Sequence, residues 1–208
     1  MAKIKLGRIK IQPAKDLEGN FAFITDSTLR TNISIATQYL FFLISLDSEY
    51  DLPGPIIYSV YKNMIVYLAS ITEALINYTL KELIQNSVVK NEDIVSFEWK
   101  CDKSKEIITL DDGRVVKGVI EHKSFPLLTS ETQFVELNKA AKRSKLFDES
   151  LYSDADHIRT KRNKIHIAGL KDLDDNYSRQ DVIDTTNEFT HIFNRTKEVL
   201  ESKPMTIE

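Results

Sequence analysis

The chain has 208 residues, a formal net charge of −3, and ordinary hydrophobic (42%) and charged (28%) contents. These values fit one globular domain spanning residues 1–208, and the acidic balance argues against a protein that coats nucleic acid. Cys101 is the single cysteine, which excludes an intrachain disulfide and favours a reducing, cytoplasmic location. No spacing typical of metal ligands is visible, and no cofactor is expected. The most apolar run, 39–46, is too short to cross a bilayer, so no membrane association is expected.

The first half of the chain predicts an N-terminal arm followed by two helices. Residues 1–22 are interpreted as an extended arm, in which the apolar residues between 4 and 11 form a short strand. Asp26 or Ser27 is placed to cap a first helix that runs to about Leu46. The run Asp51-Leu-Pro-Gly-Pro55 then breaks the chain. A second, longer helix is predicted from 56 to about 85.

The second predicted helix is apolar around so much of its circumference that a central, packed position is expected. Glu73 interrupts its apolar residues. Two interpretations carry equal weight. Either Glu73 points to water at the edge of the apolar stripe, or it is a carboxylate that faces and orients a basic residue of a site.

Residues 94–121 change in character, with β-branched and aromatic residues in short runs and a turn signal at Asp112-Gly113. They predict a small β-hairpin insertion between helices. Its role, whether lid, dimer arm or decoration, is not readable from the residues.

The remaining residues predict three more helices. One runs from about Glu131 to Lys145 with Thr129 or Ser130 as its cap. The next follows Asp148, carries the basic residues described below, and ends at Gly169.

Ser178 and Asp181 resemble a capping box that starts a last helix, and the tail after Ser202 is expected to fray. The predicted fold class is therefore mainly α, an antiparallel bundle of four to five helices interrupted by one hairpin.

The most informative segment is 159–166, Arg-Thr-Lys-Arg-Asn-Lys-Ile-His. On a continuous helix, Arg159, Arg162 and His166 share one face, with Asn163 beside them. Guanidinium groups next to an imidazole that titrates near neutral pH suit the chemistry of phosphate esters. Lys161 and Lys164 add attraction for a polyanion.

The position of Arg162 is unusual, because on a helix it lies about 40° from the apolar Ile158. An arginine there either extends its charged end outward or has a dedicated partner. The plainer alternative for the whole segment is a basic helix C-terminus that complements the helix dipole. Binding of an anion without chemistry is a third interpretation.

Two parts of the sequence resemble the HEPN superfamily of small helical nucleases and defence proteins. One is 159–166, which matches the family pattern of Arg, four to six residues, then His, and contains the Arg162-Asn163 pair. The other is the helix around Glu73, similar to an early family helix with a Glu in an apolar setting. The resemblance covers roughly residues 56–200.

The chain departs from the common family pattern in one respect. There an Arg-Asn pair is followed by three residues and then His, whereas only two residues separate Asn163 from His166. Either Arg159 or Arg162 therefore takes the position of the catalytic arginine. The β insertion is also foreign to the minimal family fold.

The resemblance implies a metal-independent endoribonuclease of the toxin or phage-defence type. It also implies a homodimer in which two motifs share one cleft, and an antitoxin or other regulatory protein that restrains the enzyme. His166, Arg159, Arg162 and Asn163 would then be catalytic, Lys161 and Lys164 would contact RNA, and Glu73 would support the site. The alternatives are a HEPN-like dimer that binds RNA, a nucleotide or a protein without cutting, and a helical scaffold.

Overall fold

The computed structural model describes residues 11–164 and 177–207, and within them the chain is mainly helical with one two-stranded antiparallel sheet. The helices are α1 (Ala14–Leu17), α2 (Ser27–Glu49), α3 (Gly54–Gln85), α4 (Asn91–Ile94), α5 (Phe134–Arg143), α6 (Glu149–Asn163) and α7 (Arg179–Glu201). The strands are β1 (Glu98–Thr109) and β2 (Val115–Ser124).

Helix α3 is the centre of the fold, as its broad apolar surface predicts. It packs against α2, α5, α6 and α7. Leu75, Ile76 and Leu80 are fully buried although they point in different directions around the helix. A helix that buries several faces is surrounded by its neighbours, and every other long helix is therefore positioned relative to α3.

Local signals set the start of α2 and the break before α3. The Asp26 carboxylate accepts the Leu29 backbone N–H at 3.0 Å and caps α2 as predicted. Helix α2 ends at Glu49, three residues beyond the predicted end. Pro53 has extended backbone and precedes the first residue of α3, so the predicted break is present.

The N-terminal arm differs from the prediction. The residues between 14 and 21 form the short helix α1 and a turn of 3-10 helix instead of extended backbone. Leu17 and Phe21 lie one helical turn apart and are buried, and the Phe21 ring meets Phe193 of α7 edge-on at 5.9 Å. Helical backbone shortens the distance between these two residues, so both side chains reach the core from one compact turn. The predicted strand lies almost wholly outside the described residues.

The predicted β insertion is present as a hairpin formed by β1 and β2. Gly113 has a φ of +84°, the left-handed conformation that the predicted turn requires. Ile94 is buried in α4, so the strands start later than predicted, and β2 continues to Ser124. Among the described residues, neither strand packs extensively on a helix.

Helix α5 begins at Phe134, later than the predicted Glu131, with Gln133 at its N-cap position. The Thr132 hydroxyl accepts the Thr129 N–H at 2.9 Å, and the Thr129 hydroxyl accepts the Glu131 N–H at 3.1 Å. These local bonds give the backbone an alternative to the helix, so the predicted caps belong to a turn that precedes it.

Helix α6 begins after Asp148, as predicted, and the Asp148 side chain caps it. It ends at Asn163, well before the predicted Gly169, which lies outside the described residues. Near this end, the Tyr177 hydroxyl donates to the Lys161 carbonyl at 3.1 Å. Inside an α-helix, a carbonyl accepts the N–H of the residue four positions later. The Lys164 N–H also reaches back to this carbonyl at 3.3 Å. The helical spacing that aligns the motif therefore holds only as far as Asn163.

Helix α7 begins at the predicted capping box, in which the Ser178 and Asp181 side chains each accept the other residue's backbone N–H. The tail differs from the prediction, since Met205 and Ile207 pack against the main apolar cluster. Both side chains are partly buried, so the chain after Ser202 lies against the core. No helix within residues 11–164 and 177–207 is long and apolar enough to cross a membrane.

Candidate functional site

The last two turns of α6 border a cleft of about 460 Å³. The opposite side of the cleft is the segment 130–135, which leads into α5, and part of its wall is α3. The cleft is lined by Glu73, Ser130, Glu131, Thr132, Gln133, Phe134, Val135, Arg159, Arg162 and Asn163. Three of the four residues predicted as catalytic, together with Glu73, therefore share one cavity.

Arg162 is held by Glu73. Its Nη1 donates to the Glu73 Oε2 at 2.5 Å, and the two side chains are 33% and 26% exposed. In the structure, Glu73 faces a basic residue, as in the second of the two interpretations given for it. Because a guanidinium carries five N–H donors, Arg162 keeps further donors for a ligand after this bond.

Arg159 has a different partner. Its Nε and Nη2 donate to one oxygen of Asp156 at 2.8 and 2.7 Å, one helical turn earlier in α6. Asp156 does not line the cleft. This pairing turns one edge of the Arg159 guanidinium away from the cavity, and the spacing of three residues could have revealed it in the sequence.

The other three predicted site residues on this segment, which are Lys161, Asn163 and Lys164, lie in different surroundings. Asn163 is exposed at the end of α6 and lines the cleft. Lys161 lies on the α7 side, where its Nζ is 3.5 Å from the Thr185 hydroxyl and 3.8 Å from an Asp181 carboxylate oxygen. Lys164 is exposed just after the helix. The cleft therefore includes Asn163 but neither lysine, and the RNA contacts assigned to the lysines stay a prediction.

The segment 130–135 was not foreseen as part of a site. Its start is fixed to α3, because the Asn77 amide donates to the Thr129 carbonyl at 2.6 Å. Thr129 and Ser130 were interpreted as caps, and only the delayed start of α5 turns these residues into a wall of the cleft. A cluster of Ser, Thr and Gln before a helix was the one available signal, and it fits a loop equally well.

The charges of the cleft are balanced. Arg159 and Arg162 are accompanied by the carboxylates of Glu73 and Glu131 in the lining of the same cleft. The cavity therefore offers directed N–H donors without a large positive field. An anion that binds here has to compete with Glu73 for Arg162.

His166 lies outside the described residues. The other three histidines all face carboxylates. His122 Nδ1 lies 2.8 Å from Asp102, His157 Nδ1 lies 3.3 Å from Glu188, and His191 Nδ1 lies 2.9 Å from Asp154. None of the three lines the Arg159–Arg162 cleft.

Two carboxylates on α7 have perturbed pKa values. Burial raises the pKa of Glu188, and the opposing charges of Lys161 and His157 do not cancel this effect. Burial also acts to raise the pKa of Asp181. Hydrogen bonds from Ser178 and the charges of Lys161 and Lys164 nevertheless hold that pKa below its usual range. These groups lie at the α6–α7 contact, behind the cleft.

No group of three His, Cys, Asp or Glu side chains suited to a metal ion occurs in the described part of the chain. Comparisons with family models, with curated proteins and with solved structures find no match to this chain. The resemblance to HEPN proteins therefore continues to depend on the sequence motif alone.

Proposed function

We propose that the chain is a metal-independent endoribonuclease that cleaves RNA at a composite Arg/His site shared by two copies. The observation that carries the proposal is the shared cleft of Arg159, Arg162 and Asn163, from which His166 is three residues away in sequence. Guanidinium and amide donors at one cavity suit a phosphodiester. The toxin or phage-defence role and the restraining partner belong to the same proposal.

The chemistry needs two proton transfers. The 2′-OH of RNA attacks the adjacent phosphorus, a base removes its proton, and an acid protonates the leaving 5′-oxygen. His166 supplies one of these groups and His166 of the second copy supplies the other. The products are a 2′,3′-cyclic phosphate and a 5′-OH end. No water or metal enters this step.

The arginines act on the charge of the phosphorane. The donors of Arg162 that Glu73 does not use stabilise its oxygens, and Glu73 keeps the guanidinium in position. Arg159 is the alternative for this role, although Asp156 occupies two of its nitrogens. Asn163 donates to the phosphate or orients His166.

The test is cleavage of a mixed RNA pool in EDTA by the wild type, His166→Ala and His157→Ala, with end-group analysis. We expect cleavage by the wild type and His157→Ala only, leaving cyclic phosphate ends. His157 is the matched control because it is an exposed histidine on α6 that does not line the cleft. Cleavage that survives His166→Ala, or that requires added metal, overturns the mechanism.

A second candidate is a HEPN-like dimer that binds RNA, a nucleotide or a protein without cutting. Two observations favour it: both guanidinium groups already pair with carboxylates, and the spacing from Asn163 to His166 is one residue short of the common pattern. RNA binding that weakens with salt and survives His166→Ala, with no cleavage, would support this candidate. A scaffold is less favoured, because an open cleft lies beside the Arg162–Glu73 pair.

A further inference from the structure

The hairpin presents an unusually large apolar surface. Nearly every residue of both strands is exposed, and Ile107, Val119 and Ile120 are 68%, 51% and 63% exposed. A two-stranded hairpin without a packed face is marginally stable in water. Exposed apolar clusters of this kind mark interaction surfaces.

The two strands differ in how well their outer edges can accept another strand. β1 carries one extra residue between Cys101 and Lys103 and another between Glu106 and Ile108, whereas the partner residues on β2 are consecutive. Bulges and lysines are the devices that protect an edge strand from pairing. β2 has an uninterrupted register, and its outer edge has no neighbour among the described residues.

We propose that β2 pairs antiparallel with β2 of a second copy of this chain, forming a four-stranded sheet around a two-fold axis at Val119. In this register Lys117 lies opposite Glu121 of the second copy, and the symmetry repeats the ion pair. Opposite charges directly across an antiparallel pair are stabilising. Moving the axis to Ile120 would oppose Lys117 and Lys123 instead, so the charges select the Val119 register.

The other face of the sheet supports the same register. Gly118 lies under the Ile107 side chain, since a Cβ atom on Gly118 would be 3.1 Å from the Ile107 Cδ1. Ile120 of the second copy would lie opposite Gly118 and therefore against Ile107. The pairing covers the two most exposed isoleucines of the hairpin with each other.

Charge also decides the kind of partner. Residues 97–125 contain six Lys or Arg and six Asp or Glu residues, so the hairpin has no net charge to attract RNA. A self-complementary pattern instead suits an isologous contact between identical strands. Pairing over nine residues buries an area at the lower end of specific interfaces, so we expect dissociation at about micromolar concentration.

The first test is sedimentation equilibrium of the full chain and of charge variants. Lys117→Glu should raise the dimer dissociation constant about tenfold, because both symmetric pairs become repulsive. The exchange of both charges, Lys117→Glu with Glu121→Lys, should restore it to within about twofold. Lys105→Glu, a reversal on the bulged strand, is the matched control and should change nothing.

The second test uses a disulfide bond between the two copies to detect the two-fold axis at Val119. In a Cys101→Ser background, Val119→Cys places two thiols directly opposite each other, within reach of a disulfide. Mild oxidation should give a covalent dimer, whereas Ser104→Cys, on the neighbouring strand of the same hairpin, should give little. A chain that stays monomeric far above micromolar concentration overturns the proposal. So does a dimer that ignores Lys117→Glu and fails to trap, or a hairpin that binds a strand of another protein instead.

The inference goes beyond the proposed nuclease activity and does not depend on it. Because the proposed nuclease site also needs two copies, Lys117→Glu is expected to lose dimerisation and to reduce cleavage with it, whereas His166→Ala is expected to lose cleavage and remain a dimer. Measuring both properties for both variants keeps the failure of one proposal distinct from the failure of the other.

Discussion

Arg162 and Glu73, which are 89 residues apart in the sequence, meet at 2.5 Å between Arg162 Nη1 and Glu73 Oε2. The contact joins the last turn of α6 to the middle of α3. Both side chains keep between a quarter and a third of their surface exposed. The pair therefore both connects two helices and forms part of an open cleft, and these two roles can be separated by experiment.

The stability role predicts a measurable coupling between the two residues. In a double-mutant cycle with Glu73→Gln and Arg162→Gln, we expect a coupling free energy of about 1 kcal/mol, the upper range for a partly exposed pair. Urea denaturation measures the four free energies of unfolding. The Glu136–Lys139 pair on α5, at 2.8 Å and more exposed, is the control, and about 0.3 kcal/mol is expected there. Equal coupling free energies for the two pairs would mean that the Arg162–Glu73 contact stabilises the fold no more than a surface ion pair does.

The central position of α3 predicts large losses for truncations within it. Leu75→Ala should lower the free energy of unfolding by about 2–5 kcal/mol, because Leu75 is fully buried and leaves a cavity. Ile56→Ala, an aliphatic truncation at an exposed site of the same helix, should cost less than about 0.5 kcal/mol. Denaturant unfolding compares the two, and a similar cost at both positions would contradict the packing described for α3.

The raised pKa of Glu188 predicts a pH-dependent effect on stability. An acid with a raised folded pKa favours the protonated state on folding, so its contribution falls as pH rises from its ordinary 4.5 through the folded value. Glu188→Gln should therefore be more stable than the wild type at pH 7, with the gain shrinking as pH falls toward 4.5. Thermal unfolding of both proteins at pH values from roughly 4 to 8 measures this difference in stability.

The surroundings of Glu188 sharpen that prediction. Its side chain is 15% exposed and faces His157, while Lys161 and Asp154 act on it from α6. One of its carboxylate oxygens is buried and has no hydrogen-bond partner among residues 11–164 and 177–207. Glu198→Gln, at an exposed position of the same helix, is the control. A loss of stability at pH 7 in Glu188→Gln would mean that attraction to His157 and Lys161 exceeds the cost of burial.

The capping box of α7 predicts a loss at neutral pH that fades in acid. Ser178→Ala should cost about 1 kcal/mol, because the Asp181 N–H loses its acceptor and the Asp181 carboxylate loses a donor. The lowered pKa of Asp181 contributes stability above its ordinary 3.8, which is lost as pH falls through the folded value. The variant and the wild type should therefore approach each other below this range in acid unfolding. A constant difference would assign the loss to the neutral hydrogen bond alone.

The sequence predicted the parts of the fold that short-range signals determine. Asp26, Gly113 and Ser178 each act on backbone within three residues, and each feature appears where it was expected. The end of α6 at Asn163 was missed, and the hydroxyl that Tyr177 donates to the Lys161 carbonyl there comes from 16 residues further along the chain, beyond the reach of a local pattern. The 3-10 turn after α1 was missed because the burial of Phe21 depends on Phe193, far along the chain.

The candidate site divides in the same way. Helical spacing brings Arg159, Arg162 and Asn163 together, because all three lie within α6. It does not place His166, since the helix ends first. The wall formed by 130–135 depends on the tertiary contact between Asn77 and Thr129, which no local pattern records.

The different partners of the two arginines predict unequal effects on RNA binding. Arg162→Ala leaves the Glu73 carboxylate unpaired inside the cleft, where it repels phosphate. Arg159→Ala leaves Asp156, which does not line the cleft. We therefore expect Arg162→Ala to weaken binding of single-stranded RNA about tenfold or more and Arg159→Ala about threefold, as measured by fluorescence anisotropy at fixed salt.

Two variants separate loss of attraction from gained repulsion at Arg162. Arg162→Ala with Glu73→Gln should recover much of the lost affinity, because the unpaired charge is then removed. Lys142→Ala, which breaks a surface pair with Glu149 outside the cleft, controls for the loss of one positive charge. If Arg159→Ala has the larger effect, Arg159 is the main phosphate contact and Glu73 holds Arg162 for structure alone.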